Sequence, residues 1–169
     1  MKLGLDELRQ LARWSAECAE QVLPLVPDDP RPRAAIATVR EFGAGGNRTK
    51  AIRTTAFAAL KAAGELTDPA AEAAARAAVA AAGSAYLHPL AEATQVKHIV
   101  GAAQYAAYAQ ELAAGDRTVG DAFVRWAIER VPEVVRELIA RYPHGTPGRS
   151  RLGELHRQLE AELRRASTS

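Results

Sequence analysis

Imidazole, amide and phenol side chains recur at helical spacing between Gly83 and Tyr108. Four of them lie seven, three and seven residues apart: His88, Gln95, His98 and Tyr105. These steps return to the same side of an α-helix, so the spacing predicts one polar helix face, with Glu92 beside it. Histidine changes its protonation near neutral pH, which would let His98 act as a switch or as a ligand.

The residues around this polar face are small and apolar, mostly alanine. Polar groups in such surroundings are unfavourable unless each one finds a partner. We therefore expect either a cleft for a ligand or partner protein, or a buried polar network that fixes the helix register. A metal or catalytic role is a third interpretation. His88 and His98 are ten residues apart, about 15 Å along a straight helix, which is too far to share one metal ion. We predict no metal site.

A second candidate surface is the charged turn DDPRPR, residues 28–33. Its charged residues are Asp28, Asp29, Arg31 and Arg33. They form either a partner-binding surface of paired charges or a capped turn, in which the arginines make hydrogen bonds to nearby carboxylates or to helix C-termini.

No sequence motif of a known chemistry is present. The loop GAGGNRTK, Gly43 to Lys50, lacks the terminal Gly-Lys-Ser/Thr of a phosphate loop and follows a predicted helix, so we expect a flexible interhelix loop at 43–50. The chain contains no HExxH, GxSxG, CxxC or dinucleotide-binding glycine pattern. We predict no catalytic residues and no cofactor. The question of enzymatic activity stays open, although a non-enzymatic role is favoured.

Two segments resemble a known family: DDPRPRAAI, Asp28 to Ile36, and AYLHPLAEATQVKHIVGAA, Ala85 to Ala103. With the blocks Arg13–Leu25 and Ile128–Leu163, they are similar to bacterial immunity proteins associated with polymorphic toxin systems. The resemblance covers nearly the whole chain. It implies a toxin-neutralising role with a protein toxin as partner, and it brings no catalytic residue set.

Alanine makes up roughly a fifth of the residues, glycine and proline punctuate the chain regularly, and no segment alternates with period two. The sequence predicts an all-α fold: a single compact bundle or short array of about eight helices in one domain, 1–169, with a frayed tail at 166–169. The predicted helices begin near Leu5, Asp29, Asn47, Asp68, Pro89, Thr118, Pro132 and Arg151.

Charge and hydropathy restrict the environment and the partners. The net charge is +2 and no basic run occurs, so we predict no nucleic-acid binding. The N-terminus lacks an apolar signal region, and no apolar run approaches the length of a membrane span. We therefore expect a cytoplasmic protein without membrane contact. Cys18 is the single cysteine, which excludes an intrachain disulfide.

Three hypotheses for function follow from these observations. The first is an immunity protein that binds and neutralises a cognate toxin. The second is a small-molecule-binding or catalytic helical protein that uses a cleft on the Gly83–Tyr108 helix. The third is a structural homodimer without a toxin partner. A nuclease toxin is disfavoured, because inhibitors of cationic nucleases often present a strongly acidic face, and the acidic residues here are dispersed.

Overall fold

The computed structural model describes residues 1–165 as an assembly of helices. This range contains eight α-helices, two 3₁₀ turns at Leu23–Leu25 and Ala93–Val96, and no β-strand. The α-helices are α1 (Leu5–Glu20), α2 (Pro30–Gly43), α3 (Lys50–Glu65), α4 (Pro69–Ser84), α5 (Lys97–Ala114), α6 (Arg117–Arg130), α7 (Glu133–Ile139) and α8 (Arg151–Arg164). The predicted all-α fold with about eight helices is confirmed. The tail predicted at 166–169 lies outside the described residues.

Capping side chains explain where α2 and α4 begin. The Asp29 carboxylate accepts a hydrogen bond from a first-turn N–H of α2 at 3.0 Å, and Asp68 does the same for α4 at 3.0 Å. Pro30 and Pro69 follow at the first helical position, where the missing N–H costs nothing. These two predicted starts are confirmed. None of the helices within 1–165 combines the length and apolar composition needed to cross a membrane.

The loop between α2 and α3 is held from one side by α1. The Arg9 guanidinium donates to the carbonyl oxygens of Gly45 at 3.2 Å and Gly46 at 3.0 Å. Gly45 has a φ of 116°, a conformation that glycine adopts without strain. The predicted cap at Asn47 is wrong, because α3 begins three residues later at Lys50. Flexibility of the loop at 43–50 stays a prediction.

Helix α4 is the centre of the core. Ten of its 16 residues are buried, and nine of those ten are alanine. Helices α1, α2, α3 and α5 all pack against it. Methyl side chains let helix backbones approach closely, and one such close approach is the contact of Gly101 in α5 with Ala80 in α4. A Cβ atom at Gly101 would lie 3.2 Å from the Ala80 Cβ.

The helix predicted from Pro89 to Gly115 is wrong in its first part. Helix α4 ends at Ser84, the chain is irregular up to Glu92, and α5 begins only at Lys97. The cause is Pro89, which disfavours helical backbone at the preceding residue and has no N–H to donate. The predicted continuous polar face is therefore divided between an irregular segment and α5.

A largely buried arginine side chain attaches α8 to α5 and α6. The guanidinium of Arg151, with only 9% of the side chain exposed, donates to both carboxylate oxygens of Glu111, at distances from 2.8 to 3.1 Å. It also donates to Asp121 at 2.8 Å. This double carboxylate contact fixes the position at which α8 docks, because the planar guanidinium satisfies both acids in one geometry.

We expect glycine substitutions in α4 and α5 to differ in their effect on stability. Gly101→Val should lower the free energy of unfolding by about 1–3 kcal/mol, because the added methyl groups overpack the contact with Ala80. Gly83→Ala should be neutral or stabilising by about 0.5–1 kcal/mol, because its Cβ would make an ordinary contact 3.6 Å from His98. Urea unfolding measures both. Equal stability of wild type and Gly101→Val would contradict the close helix packing.

Removal of the buried arginine should be strongly destabilising. Arg151→Met strands the Glu111 carboxylate in the protein interior, so we expect a loss of about 3–5 kcal/mol in the free energy of unfolding. The control is Arg165→Met, at the end of α8, whose side chain is 72% exposed in its pair with Glu162. That variant should change stability by less than about 1 kcal/mol. Denaturant melts that give similar losses for both variants would refute this role of Arg151.

Candidate functional site

A groove runs between α4 and α5 on the side that faces α3. We call it the α4–α5 groove; its volume is about 310 Å³. It is lined by Leu60, Arg76, Val79, Ala80, Gly83, Lys97, His98, Gly101, Gln104 and Tyr105. The small residues on both helices leave space between them, and the longer polar side chains stand at its margins. The groove thus combines an apolar floor with hydrogen-bond donors.

His98 lies half-buried in this groove against Gly83. Its imidazole makes no hydrogen bond within residues 1–165, although it is close to the α4 backbone. The polar side chains predicted on one face therefore do not form a single bonded network. An imidazole without a protein partner in an open groove has both nitrogens available to a bound group.

Burial lowers the pKa of His98, and the positive charge of neighbouring Lys97 lowers it further. Both effects disfavour the imidazolium form. At neutral pH the ring is therefore uncharged, with one nitrogen donating and the other accepting. An approaching carboxylate would reverse the effect of Lys97 and favour protonation.

A second groove adjoins the first across α5. We call it the α5–α8 groove; its volume is about 380 Å³, and its far wall is formed by the 146–150 loop and by α8. Three residues line both grooves: Lys97, Gln104 and Tyr105. Gln104 also donates to the Leu152 carbonyl oxygen at 2.8 Å, which ties α5 to the first turn of α8.

His156 lines the α5–α8 groove but is engaged by its own helix. Its Nε2 lies 3.0 Å from Glu160, whose carboxylate also accepts from the Gly145 N–H and from Arg164. Burial raises the pKa of Glu160, but the hydrogen bonds from Gly145, Arg164 and His156 outweigh burial and leave the pKa below its usual value. This cluster holds the loop before α8 in place, so it forms the wall of the groove.

The structure brings together two of the five predicted cleft residues. His98 and Tyr105 both line the α4–α5 groove. Gln95 lies instead in the 3₁₀ turn Ala93–Val96 before α5, where its side-chain oxygen accepts a hydrogen bond from the His88 N–H at 2.9 Å. The side chain of Glu92 is exposed and lines neither groove. Glu92 and Gln95 are separated from His98 and Tyr105 because α5 begins only at Lys97, after the first two residues and before the last two.

His88 is a structural connection in this segment. Its Nδ1 accepts from the Leu90 N–H at 3.2 Å, and its carbonyl oxygen accepts from the Tyr142 hydroxyl at 2.6 Å. The side chain itself is exposed. These contacts attach the irregular segment to the region that follows α7.

The charged turn at 28–33 also divides into two parts. Arg31 pairs with Asp29 at 2.7 Å and reaches Glu65 of α3 at 2.6 Å, which ties α2 to α3. Hydrogen bonds from Arg31 hold the pKa values of both carboxyls below their ordinary range. Asp28 and Arg33 are exposed and line a separate cavity of about 300 Å³. Asp29 and Arg31 thus have structural contacts, whereas Asp28 and Arg33 are free to meet a partner.

The apolar edge of the α4–α5 groove was not predicted from the sequence. The side chain of Phe57 is 65% exposed and that of Leu60, which lines the groove, is 41% exposed. The buried stripe of α3 contains Ile52, Ala59 and Ala63. Phe57 lies off this stripe, and that position is the signal that could have revealed it. In a helix with alanine on every side, the stripe is difficult to recognise from sequence.

Three polar residues of the groove, Arg76, Lys97 and Gln104, were also not predicted from the sequence. They flank the small residues of α4 and α5, and only the packing of the two helices shows that they share a groove. Within residues 1–165, no group of three or more His, Cys, Asp or Glu side chains is placed to hold a metal ion.

We expect the pKa of His98 to lie below the ordinary histidine value of about 6.5. Because the folded pKa is below the unfolded one, the stability that the neutral ring contributes is complete above about pH 6.5 and is lost as the pH falls through the folded pKa. Lys97→Ala should raise the pKa only part of the way, since burial is the larger cause. NMR titration of the imidazole C–H in both proteins measures this. Identical midpoints would show that Lys97 has no influence.

The chain was compared with curated proteins, with solved structures and with models of protein families. Neither the curated proteins nor the solved structures yield a match. A family model described as Imm-5 like putative immunity protein matches residues 1–134 of the 169. This range includes every residue that lines the α4–α5 groove, whereas the far wall of the α5–α8 groove lies beyond it. The predicted resemblance is confirmed, and the chain belongs to the Imm-5 like immunity protein family.

Proposed function

We propose that this protein binds and neutralises a cognate protein toxin, and that the binding surface is the α4–α5 groove together with its apolar edge, Phe57 and Leu60. Membership of an immunity protein family supports the general role. The surface is our assignment. It lies entirely within the residues that the family model matches.

The exposure of Phe57 is the observation that carries this proposal. Single exposed aliphatic residues are common on protein surfaces, but an aromatic ring that is 65% exposed loses the benefit of burial unless a partner covers it. Leu60 lies three residues away on the same helix and extends the apolar surface into the groove. Aromatic anchors beside a pocket are typical of the residues that dominate binding energy at interfaces.

The scaffold beneath this surface suits an inhibitor. Most buried residues of helices α3, α4 and α5 are alanine, which has no side-chain rotamers to lose. A surface held on such helices changes little on binding, so little of the interaction energy is spent on ordering it. Neutralisation by occlusion needs no chemistry from the inhibitor.

One observation favours a different function, the binding of a small molecule. The α4–α5 groove has a volume at the lower end of the range of about 300–1,000 Å³ for ligand sites, and the imidazole of His98 in it is unbonded. A ligand in the groove would contact His98 and Tyr105 without requiring Phe57. Substitution of Phe57 therefore distinguishes the two functions.

Growth rescue tests the proposal. Products of the open reading frames next to the gene would be expressed in a sensitive bacterial host, alone and with this protein. We expect one product to arrest growth and the protein to restore it. Phe57→Asp should weaken binding at least about 30-fold, as loss of an interface anchor does, and should abolish rescue.

The matched control is Leu5→Asp on α1. Leu5 is likewise apolar and exposed, at 51%, but it lies on another helix. This variant should rescue growth like wild type. Sedimentation of both variants tests the homodimer alternative. If the protein forms a homodimer through this surface, Phe57→Asp should be monomeric in the absence of any toxin. Full rescue by Phe57→Asp, with wild-type affinity, would show that the surface is assigned wrongly.

A further inference from the structure

We propose that the α4–α5 groove binds an acidic segment of the partner toxin, with an apolar side chain of that segment against Phe57 and Leu60 and its carboxylates beside Arg76 and Lys97. This inference rests on the proposed function and specifies the chemistry of the partner. It commits the groove to a polypeptide with aspartate or glutamate side chains.

The charges that line the two grooves have one sign. The α4–α5 groove presents Arg76 and Lys97, and the α5–α8 groove shares Lys97. No Asp or Glu lines either groove in the part of the chain that the structure describes, although the sequence contains 20 acidic residues against 22 basic ones. A nearly balanced protein thus has locally unbalanced grooves. Such a lining attracts anions and repels a cationic surface.

Little of this positive charge is neutralised within the protein. Lys97 is exposed and makes no ion pair with any residue in 1–165. Arg76 pairs with Glu72 one turn earlier on α4, at 3.1 Å. Both side chains of that pair are more than a third exposed, and exposed pairs of this kind contribute at most about 0.5 kcal/mol. A partner carboxylate can therefore compete with Glu72 for Arg76.

Positive charge also flanks the apolar edge. Arg53 and Lys61 lie four residues before and after Phe57, which places both on the same face of α3. Arg53 is held over the Tyr86 ring at 4.9 Å, so its guanidinium stays close to this face. A segment that places an apolar residue on Phe57 would meet cations on either side of it.

The dimensions fit a short stretch of polypeptide. Lys97 and Tyr105 are eight residues apart on α5, a distance of about 12 Å along the helix. An extended chain covers that distance in roughly four residues. Uncharged donors stand along the same path: Gln104 and the Tyr105 hydroxyl in both grooves, and His98 in the first. Carboxylates and backbone carbonyls of the segment are the acceptors that these groups can satisfy.

Two probe peptides test the inference by NMR on the whole protein. One alternates leucine with glutamate, and the other alternates leucine with lysine. We expect the glutamate peptide to shift the resonances of Leu60, Lys97 and His98, and this shift to weaken as salt is added. The lysine peptide should leave the same resonances unchanged. Equal shifts with both peptides, or no shift with the glutamate peptide at millimolar concentration, would overturn the inference.

Charge reversal gives the matched variants. Lys97→Glu should weaken binding of the glutamate peptide at least tenfold, whereas Arg165→Glu should leave it unchanged. Arg165 undergoes the same change in charge, but it directly follows α8, nine residues beyond His156, the last residue of α8 that lines the α5–α8 groove. Inorganic phosphate is the small-anion probe: if it shifts the groove resonances as strongly as the glutamate peptide does, the groove is a simple anion site and the inference fails.

The growth assay separates this inference from the proposed function. If Lys97→Glu and Arg76→Gln both retain full rescue while Phe57→Asp loses it, the toxin binds at the apolar edge and the acidic-segment inference alone is wrong. If all three variants retain rescue, the proposed surface is wrong as well. Loss of rescue in all three, with rescue by Arg165→Glu retained, supports both.

Discussion

The close approach of α4 to α5 is the constraint on which the rest of this structure depends. Helix α4 is surrounded by four other helices, and each of them can reach it only because its buried side chains are almost all methyl groups. A methyl group buries little area, so the stability of such a core comes from many small contacts at high density. The core therefore tolerates enlargement poorly at points such as Gly101.

The same small residues create the groove. Ala80, Gly83 and Gly101 bring the two helix backbones together but leave space at the surface, where longer side chains stand apart at the margins. The floor of the groove is thus set by packing, and its chemistry is set by Arg76, Lys97 and His98. The floor and the margins of the groove can therefore be changed independently, because substitutions at the margins leave the contact between the helices intact.

The parts of the fold that local chemistry determines could be predicted from the sequence. Asp29 and Asp68 mark helix starts through hydrogen bonds within one turn, so a short window of sequence is sufficient. The start of α5 could not be found in the same way. The helical periodicity of the sequence continues through Pro89. Whether the helix ends there depends also on distant contacts, such as the hydrogen bond from the Tyr142 hydroxyl to the His88 carbonyl oxygen.

The candidate site was harder to predict for a related reason. His98 and Tyr105 share a helix, so their spacing placed them together. Phe57 and Arg76 come from two other helices, and their position relative to His98 is fixed only by the packing of α3, α4 and α5. Alanine on every side of α3 and α4 hides which face is buried, because alanine is compatible with both environments. Sequence periodicity therefore identifies the helices of this protein more readily than it identifies their exposed faces.

The C-terminal helix shows how a region beyond the family match still shapes the site. Arg151 binds Glu111 of α5 and Asp121 of α6, and Gln104 of α5 binds the Leu152 carbonyl. These contacts fix α8 against α5 and thereby form the second groove beside the first. With a net charge of only +2, the whole molecule steers a partner weakly, and at physiological salt interactions between exposed charges are largely screened beyond about 8 Å. Discrimination between partners then depends on short-range contacts at the grooves, where the cations and the apolar edge lie on adjacent helices.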